Sequence, residues 1–255
     1  MTRNIKSEQE ASDWYDKGRV FHDQEKYEEA IECYDKAIQI EPEDIESWSD
    51  KGLSLFNLKK YEESITCFDK SIQIEPEYLY AWNSKGLSLN MLGKYEESIE
   101  CFDKAIPMDP EDAYAWNGKG NSLFGLEKYE EAIKCYDKSI QIDPEYSEAL
   151  YHKGNALKEL ERHEESIECY DKAIQINSET DAWTNKGTAL TELHRHEEAI
   201  ACYHKAIQID PENVNALFNK GNALKFLGRV EESQQCLDKV KELELKGISI
   251  ERSGS

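Results

Sequence analysis

Seven cysteines are the residues of this sequence with the widest range of possible chemistry, because thiolates bind metals, form disulfides and act as nucleophiles. They recur at intervals of 34, 34, 34, 34, 33 and 34 residues, at Cys33, Cys67, Cys101, Cys135, Cys169, Cys202 and Cys236. Cysteine metal sites usually contain two cysteines separated by two to four residues, and the sequence has no such pair. The even spacing indicates that each cysteine fills one position of a repeat. We therefore expect seven free, mostly buried thiols in a reducing compartment.

Histidines offer a second possible metal or acid–base centre, because His194 and His196 flank a single arginine. However, His163 and His196 stand where other copies of the repeat have tyrosine, which indicates a packing role. The sequence has no glycine-rich phosphate loop and no nucleophile–base pair, and its acids lie beside lysines almost everywhere. We therefore expect no metal, no cofactor, no catalytic residue and no enzymatic activity.

The charge of the chain limits the kinds of partner it can bind. The 53 Asp and Glu residues against 31 Lys and Arg give a formal net charge of −22. Such a surface repels nucleic acid and anionic membranes, whose binding needs clustered Lys and Arg. The start of the sequence has no apolar leader, and no stretch approaches the ~18 apolar residues of a membrane span. We expect a cytoplasmic protein with a well-solvated exterior that binds neither nucleic acid nor membranes.

The elements that position these residues repeat with the period of the cysteines. A Lys-Gly pair recurs in every copy, all five tryptophans lie four residues before one of these glycines, and a Glu-Glu pair follows each glycine. Proline closes five of the copies, at Pro42, Pro76, Pro110, Pro144 and Pro211. Each copy has two stretches of helical apolar spacing joined by a short turn, such as Trp116, Gly120 and Leu123 in the first stretch of the fourth copy. A fixed period of this length predicts stacked helix–turn–helix units.

The repeat resembles the tetratricopeptide repeat family, with Trp at position 4, Gly at 8, Ala or Ser at 20 and 27, Tyr or Phe at 24, and Pro at 32. We place seven units at 11–44, 45–78, 79–112, 113–146, 147–179, 180–213 and 214–245, after an N-terminal extension (1–10) and before a disordered tail (246–255). The resemblance implies an all-α solenoid, a right-handed superhelix of seven helix–turn–helix repeats, whose first helices line an inner groove. The small residues at positions 8, 20 and 27 let antiparallel helices approach closely.

Two residues depart from this pattern. Pro107 stands where five other units have glutamine, late in the second helix of the third unit. Because proline removes an N–H donor, we expect it to shorten or kink the last helical turn. Gly118 stands at a groove position where other units have a side chain, and we expect the missing side chain to leave room for a ligand.

The groove implied by the resemblance is rich in asparagine, because ten of the thirteen asparagines lie at positions 2, 5, 6, 9, 12 or 13. Asparagine lowers helix propensity, but its amide can donate to and accept from the peptide bonds of a ligand. Part of this enrichment follows from the family consensus at positions 6 and 9. The groove positions of units three and four are also uncharged. Leu53 and Phe56 of unit two extend them into an apolar strip, which is typical of an interaction site. We therefore predict a peptide-binding groove formed by Tyr80, Asn83, Leu87, Met91, Tyr114, Asn117, Asn121, Phe124, Tyr151 and Asn155.

A well-known ligand class of this family does not fit the sequence. The two-carboxylate clamp for the acidic tails of heat-shock chaperones requires Lys at positions 2 and 5 and Arg at position 6, and no unit has these residues there. We predict a non-enzymatic scaffold or adaptor that holds a partner peptide in the groove and is not a carboxylate-clamp co-chaperone.

Two alternatives stay open at this point. The chain could self-assemble weakly through its end repeats, where Leu237, Val240 and Leu243 keep apolar character. It could instead hold basic proteins through its acidic exterior, in which case added salt would abolish binding.

Overall fold

The computed structural model describes residues 5–248, and this range contains fourteen α-helices and no β-strand. The helices are α1 (Ile5–Asp23), α2 (Tyr27–Ile40), α3 (Ile45–Asn57), α4 (Tyr61–Ile74), α5 (Leu79–Met91), α6 (Tyr95–Met108), α7 (Ala113–Gly125), α8 (Tyr129–Ile142), α9 (Ser147–Glu159), α10 (His163–Ile176), α11 (Thr180–Glu192), α12 (His196–Ile209), α13 (Val214–Phe226) and α14 (Val230–Leu245). Odd-numbered helices are the first helices of the seven units, and even-numbered helices are the second. The predicted all-α solenoid is confirmed. No helix within the described range is long and apolar enough to cross a membrane.

Most of the predicted C-terminal tail lies outside the described residues, as do the first four residues of the predicted N-terminal extension. The rest of that extension, from Ile5 onwards, is continuous with the first repeat, because α1 begins there. Helix α1 is therefore longer than the first helices of the other units.

Polar and acidic side chains stabilise the first turns of several helices. The side chains of Asp44 and Asp112 accept hydrogen bonds from backbone N–H groups in the first turns of α3 and α7, and Asn213 does the same for α13. Each second helix begins with two glutamates in its first turn, such as Glu62 and Glu63 of α4. Anionic side chains are favourable there because the helix dipole places partial positive charge at the N-terminus.

The turn inside each unit is formed by a residue in the left-handed region. This residue is Glu25, Lys59, Gly93, Glu127, Glu161, His194 or Gly228, with φ between 57° and 74°. The N–H of the following residue reaches back to the first helix, as Lys60 does when it donates to the Leu55 carbonyl at 2.9 Å. This backbone pattern ends the first helix while satisfying carbonyls of its last turn.

The chain divides into two compact parts, an N-terminal body (residues 1–128) and a C-terminal body (residues 129–255). In the N-terminal body each of the helices α1 to α7 packs on the next, and the first helices also contact one another, α1 with α3, α3 with α5 and α5 with α7. In the C-terminal body the helices α8 to α14 pack in the same order, and α9, α11 and α13 form the corresponding contacts. The second helices make no contacts of this kind within the described part of either body, so successive units are joined on the side of their first helices.

Aromatic rings at repeat position 24 form the centre of the core and explain the glycine at position 8. The rings of Tyr34, Phe68 and Tyr203 are almost fully buried. A Cβ atom on Gly18, Gly52 or Gly187 would lie 2.6–2.8 Å from the ring of its own unit. The prediction that small residues permit close helix approach is confirmed at these positions.

In four units the tryptophan at position 4 is hydrogen-bonded to the loop that precedes the unit. Trp48, Trp82 and Trp116 donate from Nε1 to the carbonyls of Pro42, Pro76 and Pro110 at 2.9–3.1 Å. The loop before the sixth unit lacks one residue and the proline. There the indole of Trp183 donates to the hydroxyl of Ser178 at 2.9 Å instead.

The expected shortening at Pro107 is wrong. Helix α6 spans fourteen residues and continues past Pro107, as α4 does without a proline. The N–H of Asp109 still donates to the carbonyl of Ala105, at 3.2 Å compared with 2.8 Å for Glu75 and Ser71. Proline costs this turn one donor, but the bonds on either side of it keep the turn helical.

Candidate peptide-binding site

The N-terminal body contains a cavity of about 370 Å³ between α3, α5 and α7. Its walls are formed by Leu53, Phe56, Phe68, Tyr80, Asn83, Ser84, Leu87 and Tyr114. Four of these were predicted as site residues, namely Tyr80, Asn83, Leu87 and Tyr114, and Leu53 and Phe56 form the predicted extension of the apolar strip. No sequence signal marks Phe68 as functional, because it occupies the core position shared by all units.

Aromatic side chains at the edge of the cavity remain accessible to a ligand. Tyr80 is 38% exposed and Tyr114 is 40% exposed. Burial, and next the negative charge of Asp50, raise the pKa of Tyr80 to about 12. The Tyr80 hydroxyl therefore stays protonated at neutral pH and can donate a hydrogen bond.

Asn83 is the polar residue of the cavity wall with an unused bonding atom. Its Nδ2 donates to Oδ2 of Asp112 at 2.6 Å, while the other carboxylate oxygen of Asp112 caps α7. This bond fixes the orientation of the amide, because the opposite orientation would place two acceptors together. Oδ1 of Asn83 is buried and has no hydrogen-bond partner among the residues that the structure describes. A buried acceptor of this kind carries a desolvation cost of about 1–3 kcal/mol.

The other predicted residues of the N-terminal body lie outside the cavity wall. Met91 is exposed, and Asn121 and Phe124 are partly exposed on α7. Asn117 is only 3% exposed, so it has almost no surface to offer a ligand. That Asn117 bonds a ligand backbone stays a prediction.

Gly118 does not provide space for a ligand, and that expectation is wrong. A Cβ atom at Gly118 would lie 2.3 Å from Cζ of Phe102, whose ring is fully buried. The ring fills the space left by the missing side chain. The glycine therefore serves packing between α6 and α7.

Several groove asparagines bond within the protein. Asn90 donates to Ser122 at 2.9 Å in the N-terminal body. In the C-terminal body, Asn155 accepts from Tyr170 at 2.8 Å and from Asn185 at 3.0 Å, and Asn185 also donates to Tyr151. Part of the asparagine enrichment therefore links neighbouring repeats. The predicted residues Tyr151 and Asn155 are joined by this network in the C-terminal body.

The lysines of the repeated Lys-Gly pair form ion pairs along the chain. Five of the seven pair with an aspartate of the preceding repeat: Lys51 with Asp35, Lys85 with Asp69, Lys119 with Asp103, Lys153 with Asp137 and Lys186 with Asp171. These bonds explain the recurring lysine as a link between repeats.

The histidines expected to have a packing role do so where the structure describes their contacts. His196 is buried, and its ring centroid lies 4.1 Å from that of Phe226. All seven cysteines are free, and six are buried, with Cys236 partly exposed. Burial raises the pKa of the Cys67 and Cys101 thiols to about 11, which makes them poor nucleophiles at neutral pH.

The stacked helix pairs are those of a repeat solenoid. Tetratricopeptide repeat models match residues 45–78, 79–112, 113–146, 147–179 and 180–213, which is more than half of the chain. Related repeat models match residues 18–59 and 202–235. The chain belongs to the tetratricopeptide repeat family. None of the curated proteins compared matches its sequence.

Solved structures show the same fold. A tetratricopeptide repeat protein from Parabacteroides merdae is 15% identical, with a TM-score of 0.73 over 92% of this chain and 93% of that one. MamA from Desulfovibrio magneticus is 24% identical, with a TM-score of 0.60 over 65% of this chain and 94% of that one. YrrB is 24% identical, with a TM-score of 0.57 over 69% and 91%. At these identities the likeness concerns the fold alone.

Proposed function

We propose that this protein is a non-enzymatic scaffold or adaptor that binds a peptide segment of a partner protein in the groove of its N-terminal body. The observation that carries the proposal is the cavity between α3, α5 and α7, which is walled mainly by apolar and aromatic side chains. Concave apolar sites with a few polar groups are the usual form of ligand sites. YrrB, whose fold this chain resembles, has a described peptide-binding site.

In this proposal an apolar side chain of the ligand enters the cavity and contacts Leu53, Phe56 and Leu87. Tyr80 and Tyr114 cover it from the edge, as aromatic residues do at energetically important interface positions. Met91, Asn121 and Phe124 extend the contact along the partly exposed face of the groove. The lack of clamp lysines and arginine argues against a C-terminal carboxylate as the main recognition element. We assign no ligand contact to Asn117.

The test is selection of short peptides from a display library on the full chain, with affinities then measured by isothermal titration calorimetry. Ser84 lies in the cavity wall, so Ser84→Phe should fill the cavity and weaken binding of the selected peptides by more than about tenfold. Thr66→Phe, on the exposed face of α4, is the matched control and should bind as the wild type does. Peptides that bind equally to all three proteins would contradict the proposed site.

A further inference from the structure

One edge of the cavity in the N-terminal body is acidic, and Asp50 at this edge forms no ion pair among the described residues. Asp50 lies on α3 three residues before the wall residue Leu53, so the two share a helix face. Its negative charge contributes to the raised pKa of Tyr80, another wall residue. Glu46 lies one turn earlier on the same helix and is exposed. A ligand in the cavity therefore has carboxylates on its α3 side.

The bonding of Asp50 leaves its charge unneutralised. Oδ2 accepts one hydrogen bond from the Tyr15 hydroxyl at 3.0 Å, and within the described residues Asp50 forms no ion pair. The nearby basic side chains are Arg19 and His22. The Arg19 guanidinium lies over the Tyr15 ring at 5.9 Å, and His22 is hydrogen-bonded to Ser54 at 2.8 Å. Burial raises the pKa of Asp50, and the hydrogen bond from Tyr15 and these two basic side chains only partly offset this rise.

A second, independent observation points to a ligand at this place. The side chain of Asn83 in the cavity wall is 7% exposed, and its Oδ1 has no hydrogen-bond partner among the described residues. Its Nδ2 is committed to Asp112, which is not a wall residue. The remaining acceptor can be satisfied by an N–H group that accompanies an apolar side chain into the cavity, as the main chain of a peptide does.

Charge on the other flank of the cavity differs. Here the groove residues of α5 and α7 are uncharged, and they include Ser84, Asn90, Met91 and Asn121. The carboxylate on this flank, Asp112, already accepts hydrogen bonds from the Asn83 amide and from two backbone N–H groups of α7. Asp50 accepts a single side-chain hydrogen bond and therefore has more free capacity for a cation on the ligand. The net charge of −22 adds a general attraction for basic segments, but it does not by itself select a position.

We infer that the groove of the N-terminal body selects peptide segments in which a large apolar or aromatic side chain is adjacent to a lysine or arginine, with the apolar group in the cavity and the cation at Asp50. This inference rests on the proposed function and adds the chemistry of the partner. It places the basic residue of the peptide next to α3 and therefore defines a direction for the bound peptide.

The experiment uses the display selection on the full chain and compares wild type with Asp50→Asn. Asparagine keeps an acceptor for the Tyr15 hydroxyl while removing the charge, and thermal unfolding by circular dichroism verifies that the variant folds. Glu62→Gln, at an exposed position of α4, makes the same charge change elsewhere and serves as the control. We expect wild type and Glu62→Gln to enrich peptides with a basic residue beside an apolar one.

For a selected peptide, Asp50→Asn should reduce affinity by about five- to tenfold, and the loss should vanish when the basic residue of the peptide is replaced by glutamine. Enrichment of apolar residues without a basic neighbour, or equal affinities for wild type and Asp50→Asn, would overturn this inference and leave the proposed function intact. Peptides insensitive to Ser84→Phe would overturn the proposed function itself.

Discussion

At Gly118, the low helix propensity of glycine is unfavourable, but the missing side chain allows close packing against Phe102. Alanine favours a helix over glycine by about 1 kcal/mol, so local propensity alone predicts that Gly118→Ala stabilises α7. Phe102 reverses this expectation, because its buried Cζ atom lies 2.3 Å from the position of the new methyl group. We expect Gly118→Ala to lower the free energy of unfolding by about 1–3 kcal/mol.

Urea unfolding of wild type and Gly118→Ala measures this effect, and Gly221→Ala is the matched control. At Gly221 the nearest atom is Cδ2 of the partly buried Leu237, at 3.1 Å, and this flexible side chain can move aside. The control should be neutral or slightly stabilising. A stabilised Gly118→Ala variant would show that Phe102 yields, and the space beside α7 would again be open to a ligand.

His152 gives the C-terminal body a specific pH dependence. Its ring lies between those of Tyr136 and Tyr151, with centroids at 5.9 and 5.4 Å, and burial lowers its pKa to about 4. An unfolded histidine has a pKa of about 6.5. Because the unfolded chain binds the proton more readily, the stability contributed by neutral His152 is complete above pH 6.5 and is lost as the pH falls towards 4.

Between pH 7 and pH 5 this loss should reach roughly 2 kcal/mol. Urea unfolding at pH 7, 6 and 5 measures it, and in His152→Phe the decline over this range should be smaller by that amount. Titration of the His152 ring by NMR provides a direct measurement. A pKa near 6.5 in the folded protein would refute the prediction.

At the residue scale, six of the eight wall residues could be named from the sequence through their repeat positions, because the repeat indicates which positions of a first helix face the groove. It could not predict that Asn83 bonds Asp112 or that the Phe102 ring occupies the space beside Gly118. These contacts join residues 29 and 16 positions apart in different helices, and they depend on how side chains of neighbouring repeats pack.

At the scale of the element, the turns inside the units hold residues whose backbone conformation favours glycine. Glu161 has φ of 57°, while the equivalent Gly93 has φ of 72° and no atom within 4 Å of the place a Cβ would take. An L-residue in this region costs roughly 1–2 kcal/mol. We expect Glu161→Gly to raise the free energy of unfolding by about 0.5–1 kcal/mol, after the larger chain entropy of glycine is subtracted.

The reciprocal change, Gly93→Ala, tests the same cause without a steric contribution and should destabilise by a similar amount. Urea unfolding of both variants gives the two free energies. If both changes were neutral, the conformation of the turn would not limit stability, and the hydrogen bonds that close the turn would have to offset the unfavourable φ.

The helix pairs themselves could be predicted from the sequence because the apolar spacing, the Glu-Glu pair and the prolines agree in nearly every unit. The effect of Pro107 on helix length was predicted wrongly. Proline breaks a helix at interior positions, whereas Pro107 is the penultimate residue of α6. Near the end of α6 the missing donor removes one bond, while the next residues still bond to preceding carbonyls. The structure therefore keeps the length that the other units share.

At the scale of the whole molecule, burial of the C-terminal apolar residues weakens the hypothesis that the chain self-assembles through its end repeats. Val240 and Leu243 are 5% and 0% exposed, and they pack against Val214 and Leu217 within the C-terminal body. They stabilise α13 and α14 and are not surface groups that a second copy could contact. Leu237 is partly buried as well. The most exposed large apolar residue of this end is Leu245, at 89%, and Phe226 and Val230 are exposed as well.

We therefore expect a sedimentation-derived mass of one chain, 29.5 kDa, that does not change with protein concentration. The stringent condition is high salt, because at low salt the net charge of −22 keeps copies apart whatever their apolar surface. At about 0.5 M salt the Debye length falls to a few ångströms, so repulsion is screened while apolar attraction persists. A mass that rises with concentration under these conditions, and returns to one chain in Leu245→Asp, would restore self-assembly through this end as a function of the protein.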